Sequence, residues 1–250
     1  VHKGAVTGTV KGLFILVDFS DAPANVESSE FESFCNDINY TGYGNNGSVR
    51  SYFKDISGGL LDYQNVVYGY YRAPKTFAYY DQLPEGDGAV QILEGALKWI
   101  NSLGFDFSTL TLNPDNSIKA INLVYTGAPQ NWANGMWWHQ GTWDGFSADG
   151  VHSSVYCCGT AGSPLYLSTI VHENGHMLFN WNDTYKYNQN LNPDGIGTFD
   201  LMCNQGNRYN PVPPNPFCIF TAGWAALHDM TGKNERIKDF ANDNLYNIYR

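Results

Sequence analysis

The stretch that most limits what this chain can become runs from Val171 to Asp183: Val-His-Glu-Asn-Gly-His-Met-Leu-Phe-Asn-Trp-Asn-Asp. Residues Leu165 to Leu178 read as a helix, and helical residues four apart stand on one face, one turn above the other. His172 and His176 have that spacing. Two imidazoles stacked in this way suit one Zn²⁺, and Glu173 beside them is placed to handle a proton of a water at the metal. A fold that accepts this stretch must carry a helix with a polar, converging face.

Such a site needs a third ligand. In zinc peptidases of the metzincin type, a turn glycine follows the second histidine by three residues and a ligand follows by six. Those positions here hold Phe179 and Asn182, which do not fit. One extra helical residue brings Asn180 and Asp183 into register instead. Asn tolerates the left-handed conformation that ends a helix, and Asp183 supplies an ionised oxygen. Asp183 is preferred to Asn182 as the ligand, because a carboxylate binds Zn²⁺ far better than a neutral amide.

Composition bounds the rest. The 250 residues suffice for one large domain or two small ones, and 43 % hydrophobic with 15 % aromatic residues indicates a folded globule. A net charge of −10 argues against nucleic acid as a partner, while acidic oxygens leave room for Ca²⁺. No apolar run approaches the roughly 18 residues of a membrane span. Val1-His2-Lys3-Gly4 is no signal peptide, so a secreted protein would have lost its signal and propeptide. Five cysteines cannot all pair within the chain. Cys203 and Cys218, flanking a proline-rich loop, are the first pair to test, and a bridge between the neighbours Cys157 and Cys158 would be strained.

Along the chain, Leu13 to Val17 reads as a strand buried on both faces. Ser29 and Glu32 form a candidate capping box for a short helix, and Ser48 to Ile56 reads as another helix. Tyr63 to Tyr71, Ile118 to Tyr125 and Val151 to Tyr156 read as strands, and Ala89 to Leu103 as an amphipathic helix with Val90, Leu93, Leu97 and Ile100 inward. Ser163-Pro164 suits the start of the histidine helix. A final helix is expected over Phe217 to Leu227, capped by Asn215-Pro216, with Phe217, Phe220, Trp224 and Leu227 inward. Arg236 to Tyr249 reads as short strands or a tether. Trp132, Trp137, Trp138 and Trp143 surround His139 in a glycine-rich segment, which serves as a loop cover, an aromatic rim to a cleft, or a stacking platform for sugars. Asn190, Asn192 and Asp194-Gly195 match part of a calcium loop that no glutamate closes. Strands alternating with helices imply a mixed α/β (α+β) domain.

Several blocks in order resemble the secreted immune inhibitor A-like metallopeptidases, which are metzincin-like zinc enzymes. They are Leu13 to Asp21, Ser48 to Phe53, Ile56-Ser57-Gly58-Gly59, His172 to His176, Gly197 to Met202 and Ala222-Gly223-Trp224. The likeness spans about residues 12 to 230. It implies a zincin-like catalytic domain over 1–250, with an upper subdomain (about 1–179) holding a twisted mixed sheet and the zinc helix. A smaller, irregular lower subdomain (about 180–250) follows, and the active-site cleft lies between them. It implies one catalytic Zn²⁺ on His172, His176 and Asp183, with Met202 in a turn beneath the metal. The activity expected is peptide-bond hydrolysis by a metal-activated water, with Glu173 as general base and then acid. Tyr185 and Tyr209 are candidates to help the oxyanion, and an edge strand, for which Val151 to Tyr156 is the candidate, would pair with substrate. A secreted or cell-surface monomer acting on protein or peptide, glycosylated or not, completes the expectation. The alternative is an inactive or non-peptidase glycan- or surface-binding module that retains the metal site.

Overall fold

A computed structural model describes residues 5–84, 86–128, 135–186, 195–228, 231 and 246–249. The chain begins with β1 (Gly8–Asp18), whose side chains alternate between two apolar environments. Val10, Phe14 and Leu16 enter one core, and Leu13, Ile15 and Val17 the other. A strand buried on both faces belongs at the centre of a covered sheet. β1 indeed lies between β2 (Leu61–Arg72) and β3 (Ile121–Tyr125), parallel to both. β7 (Val155–Thr160) continues the parallel set, and β4 (His139–Thr142) closes it antiparallel, giving the order β2-β1-β3-β7-β4. The minor pairs are β5 (Ser147–Ala148) with β6 (Val151–His152), β8 (Gly206–Asn207) with β9 (Asn210–Pro211), and β10 (Ala225–His228) with β11 (Tyr246–Tyr249).

Helices cover the two faces. α1 (Ser28–Asn36), α2 (Val49–Ile56) and α5 (Leu167–Phe179) pack on one, and α4 (Asp87–Ser102) on the other, with the short α3 (Phe77–Asp81) beside it. α2 starts where expected: Ser48 and Ser51 cap each other reciprocally. α4 buries Ala89, Ile92, Leu93, Ala96, Leu97 and Ile100, and Val90 is only half-buried. The class is mixed α/β, as the sequence implied. No helix among the described residues is long and apolar enough to cross a membrane.

Several sequence expectations need correction. The third core strand is Val155–Thr160, because Ser153 turns inward to bond Phe146 and separates β6 from β7. Val155 and Tyr156 thus belong to the interior strand β7, and the edge strand beside it is β4, with β2 at the other end of the sheet. α1 begins after Glu27 with no side-chain cap, so Ser29 and Glu32 form no box. Asn215 does cap α6 (Pro216–Thr221), but the chain then turns into β10, and Phe217 is 72 % exposed. No disulfide joins the five cysteines, Cys203 and Cys218 included, and all five are buried. Trp132, the calcium-type residues Asn190, Asn192 and Asp194, and most of Arg236 to Tyr249 lie outside the described residues.

Candidate metal centre

α5 does not start on Ser163-Pro164. It starts at Leu167, and its first amides are satisfied from elsewhere in the fold. Leu167 N–H donates to Asn45 Oδ1 (3.1 Å) and Ser168 N–H to the Arg208 carbonyl (3.0 Å). Asn45 also donates to the Leu165 carbonyl (3.0 Å), so tertiary partners replace the local cap. The far end follows the sequence reading. Asn180 adopts φ 61°, ψ 35°, and its N–H returns to the His176 carbonyl (2.9 Å) in a left-handed cap.

That turn throws Asp183 back toward the helix. Its Oδ1 lies 3.1 Å from His172 Nε2 and 3.2 Å from His176 Nε2, and the two Nε2 atoms are 3.1 Å apart. The other ring nitrogens fix the tautomers. His172 Nδ1 faces the Leu201 carbonyl (2.9 Å) and His176 Nδ1 the Trp181 carbonyl (2.5 Å). A carbonyl only accepts, so each Nδ1 carries the proton and each neutral Nε2 presents a lone pair. Two lone pairs and a carboxylate oxygen thus converge on one point, a group that can hold a metal ion. Asn182 is solvent-exposed.

The floor beneath is tightly built. A Cβ on Gly175 would sit 2.8 Å from the Trp181 ring and 2.9 Å from Met202 Sδ, so only glycine admits both under the helix. Met202 is fully buried there. Above, Asn174 donates to Asn122 Oδ1 (2.8 Å) and accepts from the Tyr63 hydroxyl (2.8 Å), while Asn122 donates to that hydroxyl (3.0 Å). This closed, buried polar triangle ties α5 to β2 and β3. Only an Asn inside the apolar run Ile121–Tyr125 hinted at it. Sequence reasoning also missed Asp200. Fully buried, it accepts from Met202 N–H (3.1 Å), Asn215 N–H (2.9 Å), Thr184 Oγ1 (2.6 Å) and Asn215 Nδ2 (2.9 Å). It thereby fastens the turn that bonds His172 to the residue that follows Asp183.

Glu173 is 7 % exposed, and burial raises its pKa; His172 and His176 draw it down, and Asp183 pushes it up. Burial opposes charge on His176, but Asp183, Glu173 and the Trp181 carbonyl together raise its pKa above 6.5. A raised folded-state pKa gives the metal-free protein a stabilising contribution at acid pH that is lost as pH rises through that value. A metal ion needs the neutral ring. The gain in melting temperature on adding metal is therefore expected to grow between about pH 6 and pH 8. Thermal unfolding with and without chelator reads this, and a gain that shrinks over that range would contradict the assignment.

The tryptophan segment is largely packed. Trp138 lies on Gly159, where a Cβ would be 2.0 Å from its ring, and Trp143 packs on the α4-side core. His139 is buried between Trp137 and Tyr156. Tyr209 meets the Tyr166 ring edge-on (6.4 Å) at the start of α5, and Tyr185 is half-buried two residues after Asp183. No family model matches the chain, and no curated protein is significantly similar to it in sequence.

Proposed function

We propose that this chain is a zinc-dependent endopeptidase, with Zn²⁺ held by His172, His176 and Asp183. The observation that carries the reading is the convergence of the three acceptor atoms with both tautomers fixed. Donors about 2.0–2.1 Å from a tetrahedral ion stand about 3.3 Å apart, close to the 3.1–3.2 Å edges here. Three protein ligands leave a fourth position open, the pattern of catalytic rather than structural zinc. When bound, the ion supplies Lewis acidity, lowering the pKa of water and polarising a carbonyl.

The chain's own residues supply the proton traffic. Glu173 follows His172 directly, is buried, and has a raised pKa, which suits a carboxylate that accepts a proton from water and returns it to a leaving amine. β4 ends the five-stranded sheet, so its outer edge is free of any partner strand among the described residues. An extended peptide laid antiparallel on that edge would be held by main-chain hydrogen bonds. The resemblance to immune inhibitor A-like enzymes supports a secreted or cell-surface setting and a protein or peptide substrate. Metal analysis of the purified chain, with casein cleavage abolished by chelator and restored by Zn²⁺, tests the proposal. Cleavage indifferent to chelator would overturn it. Asp183→Ala is expected to lose metal about 10- to 100-fold more readily than Asn182→Ala, measured by competition with a chelating dye; the reverse order would move the third ligand.

A further inference from the structure

Trp138, Thr160, Ser163, Pro164, Tyr166 and Ile170 line a cleft of about 360 Å³ beside the start of α5. That is the small end of the range for ligand pockets, about 300–1,000 Å³, and it gives room for a sugar ring and its linkage. Two kinds of group meet there. Trp138 and Tyr166 contribute aromatic surface, and both are half-buried. The hydroxyls of Thr160, Ser163 and Tyr166 and the indole N–H of Trp138 have no hydrogen-bond partner among the described residues. No acidic or basic residue is among the described residues of the wall.

Both rings are fixed by the fold. Gly159 backs the indole: a Cβ there would lie 2.0 Å from it, so glycine alone lets Trp138 settle against β7. Arg208, whose guanidinium lies 5.1 Å from the Tyr166 ring centre, and Tyr209, edge-on at 6.4 Å, hold the second ring. Rings held in this way lose little freedom when a ligand covers them. The unpaired hydroxyls decide what that ligand is. A purely apolar group would strip their water and leave them unsatisfied. A pyranose meets both needs, with a C–H face that packs on an aromatic ring and rim hydroxyls that donate and accept.

We infer that this cleft binds a neutral sugar ring, with Trp138 and Tyr166 as stacking surfaces and the hydroxyls of Thr160, Ser163 and Tyr166 as hydrogen-bond partners. A charged sugar would find no counter-charge on the wall. The site goes beyond the peptidase reading and does not depend on it, because His172, Glu173, His176 and Asp183 are not among its lining residues. It tethers the chain to neutral glycans whether or not the metal centre turns over a peptide.

Titration of the ¹⁵N-labelled protein with the methyl glycosides of glucose, galactose and mannose and with N-acetylglucosamine tests this. At least one is expected to shift the Trp138 indole resonance saturably at millimolar concentration. Glucosamine and glucuronate are expected to bind at least about ten-fold more weakly than the best neutral sugar. Thr160→Val and Tyr166→Phe keep the shape of the wall, and each removes one hydroxyl that bonds nothing among the described residues. Each is expected to weaken the sugar about 2- to 10-fold, while any binding of N-acetyl-phenylalaninamide grows no weaker. Removing metal with chelator should leave the sugar titration unchanged. A Trp138 resonance unmoved by all four sugars, or a sugar affinity untouched by both substitutions, overturns the inference. Binding lost on chelation also overturns it, since that would place the sugar at the metal centre. Casein cleavage reads the metal centre separately: its absence beside intact sugar binding removes the peptidase reading alone.

Discussion

Replacing Glu173 by glutamine is expected to lower casein cleavage by about 10²- to 10⁴-fold while metal content stays unchanged. Both halves of that result follow from position. Glu173 is not among the three groups whose acceptors converge, so its loss leaves the metal's own partners in place. It stands next to them in sequence and buried, where a proton acceptor would work. The amide is nearly isosteric but cannot take a proton at neutral pH. Stability supplies a control that a merely structural glutamate would fail. Burial raises the Glu173 pKa, so the ionised form costs the folded state stability above the unfolded pKa. Glutamine removes that cost, so the metal-free variant should melt no lower than the parent at pH 7. A catalytically dead protein that is as stable as its parent separates mechanism from scaffold; undiminished cleavage would remove Glu173 from the reaction.

What was legible in the sequence was whatever depends on local spacing. The four-residue separation of His172 and His176 needs only a helix, and the apolar character of Leu13 to Val17 needs only a covered sheet. Asn180 as a left-handed cap is likewise a local preference, and it brings Asp183 beside the two histidines. Features made by distant partners were not legible. The start of α5 is set by Asn45 and Arg208, more than a hundred and about forty residues away, so Ser163-Pro164 misled. β4 reads His-Gln-Gly-Thr, with no apolar alternation, because an end strand has one neighbour and little to bury. Helical period places Phe217 inward, but α6 stops at Thr221 and leaves that ring outside.

The same contrast explains how polar side chains are used around α5. Its upper side is pinned by Tyr63, Asn122 and Asn174, a buried set in which each side chain bonds the other two. Its lower side rests on carbonyls of Trp181 and Leu201 that receive the histidine protons. The helix is thus held so that the imidazoles have one orientation before any ligand arrives, which lowers the reorganisation a bound ion must drive.

Asp200 is the keystone of that lower side, and Asp200→Ala is expected to cost about 3–5 kcal/mol. Four donors lose their acceptor at once: two backbone N–H groups, the Thr184 hydroxyl and the Asn215 amide. At this chain length the loss corresponds to a fall of roughly 10 °C in melting temperature. The effect on metal should exceed what unfolding alone explains. The backbone N–H of Met202 is bound to Asp200, and the carbonyl just before it accepts the proton of His172. Thr184, also bound to Asp200, follows Asp183 directly. Loosening both anchors should weaken metal affinity about 10- to 100-fold at a temperature where the variant remains folded, the usual cost of losing a group that orients ligands. Asp200→Asn sharpens the test, because it keeps one accepting oxygen but turns an NH₂ toward donors, so it should fall between parent and alanine on both measures. A variant that melts lower yet binds metal with parental affinity would confine Asp200 to the scaffold.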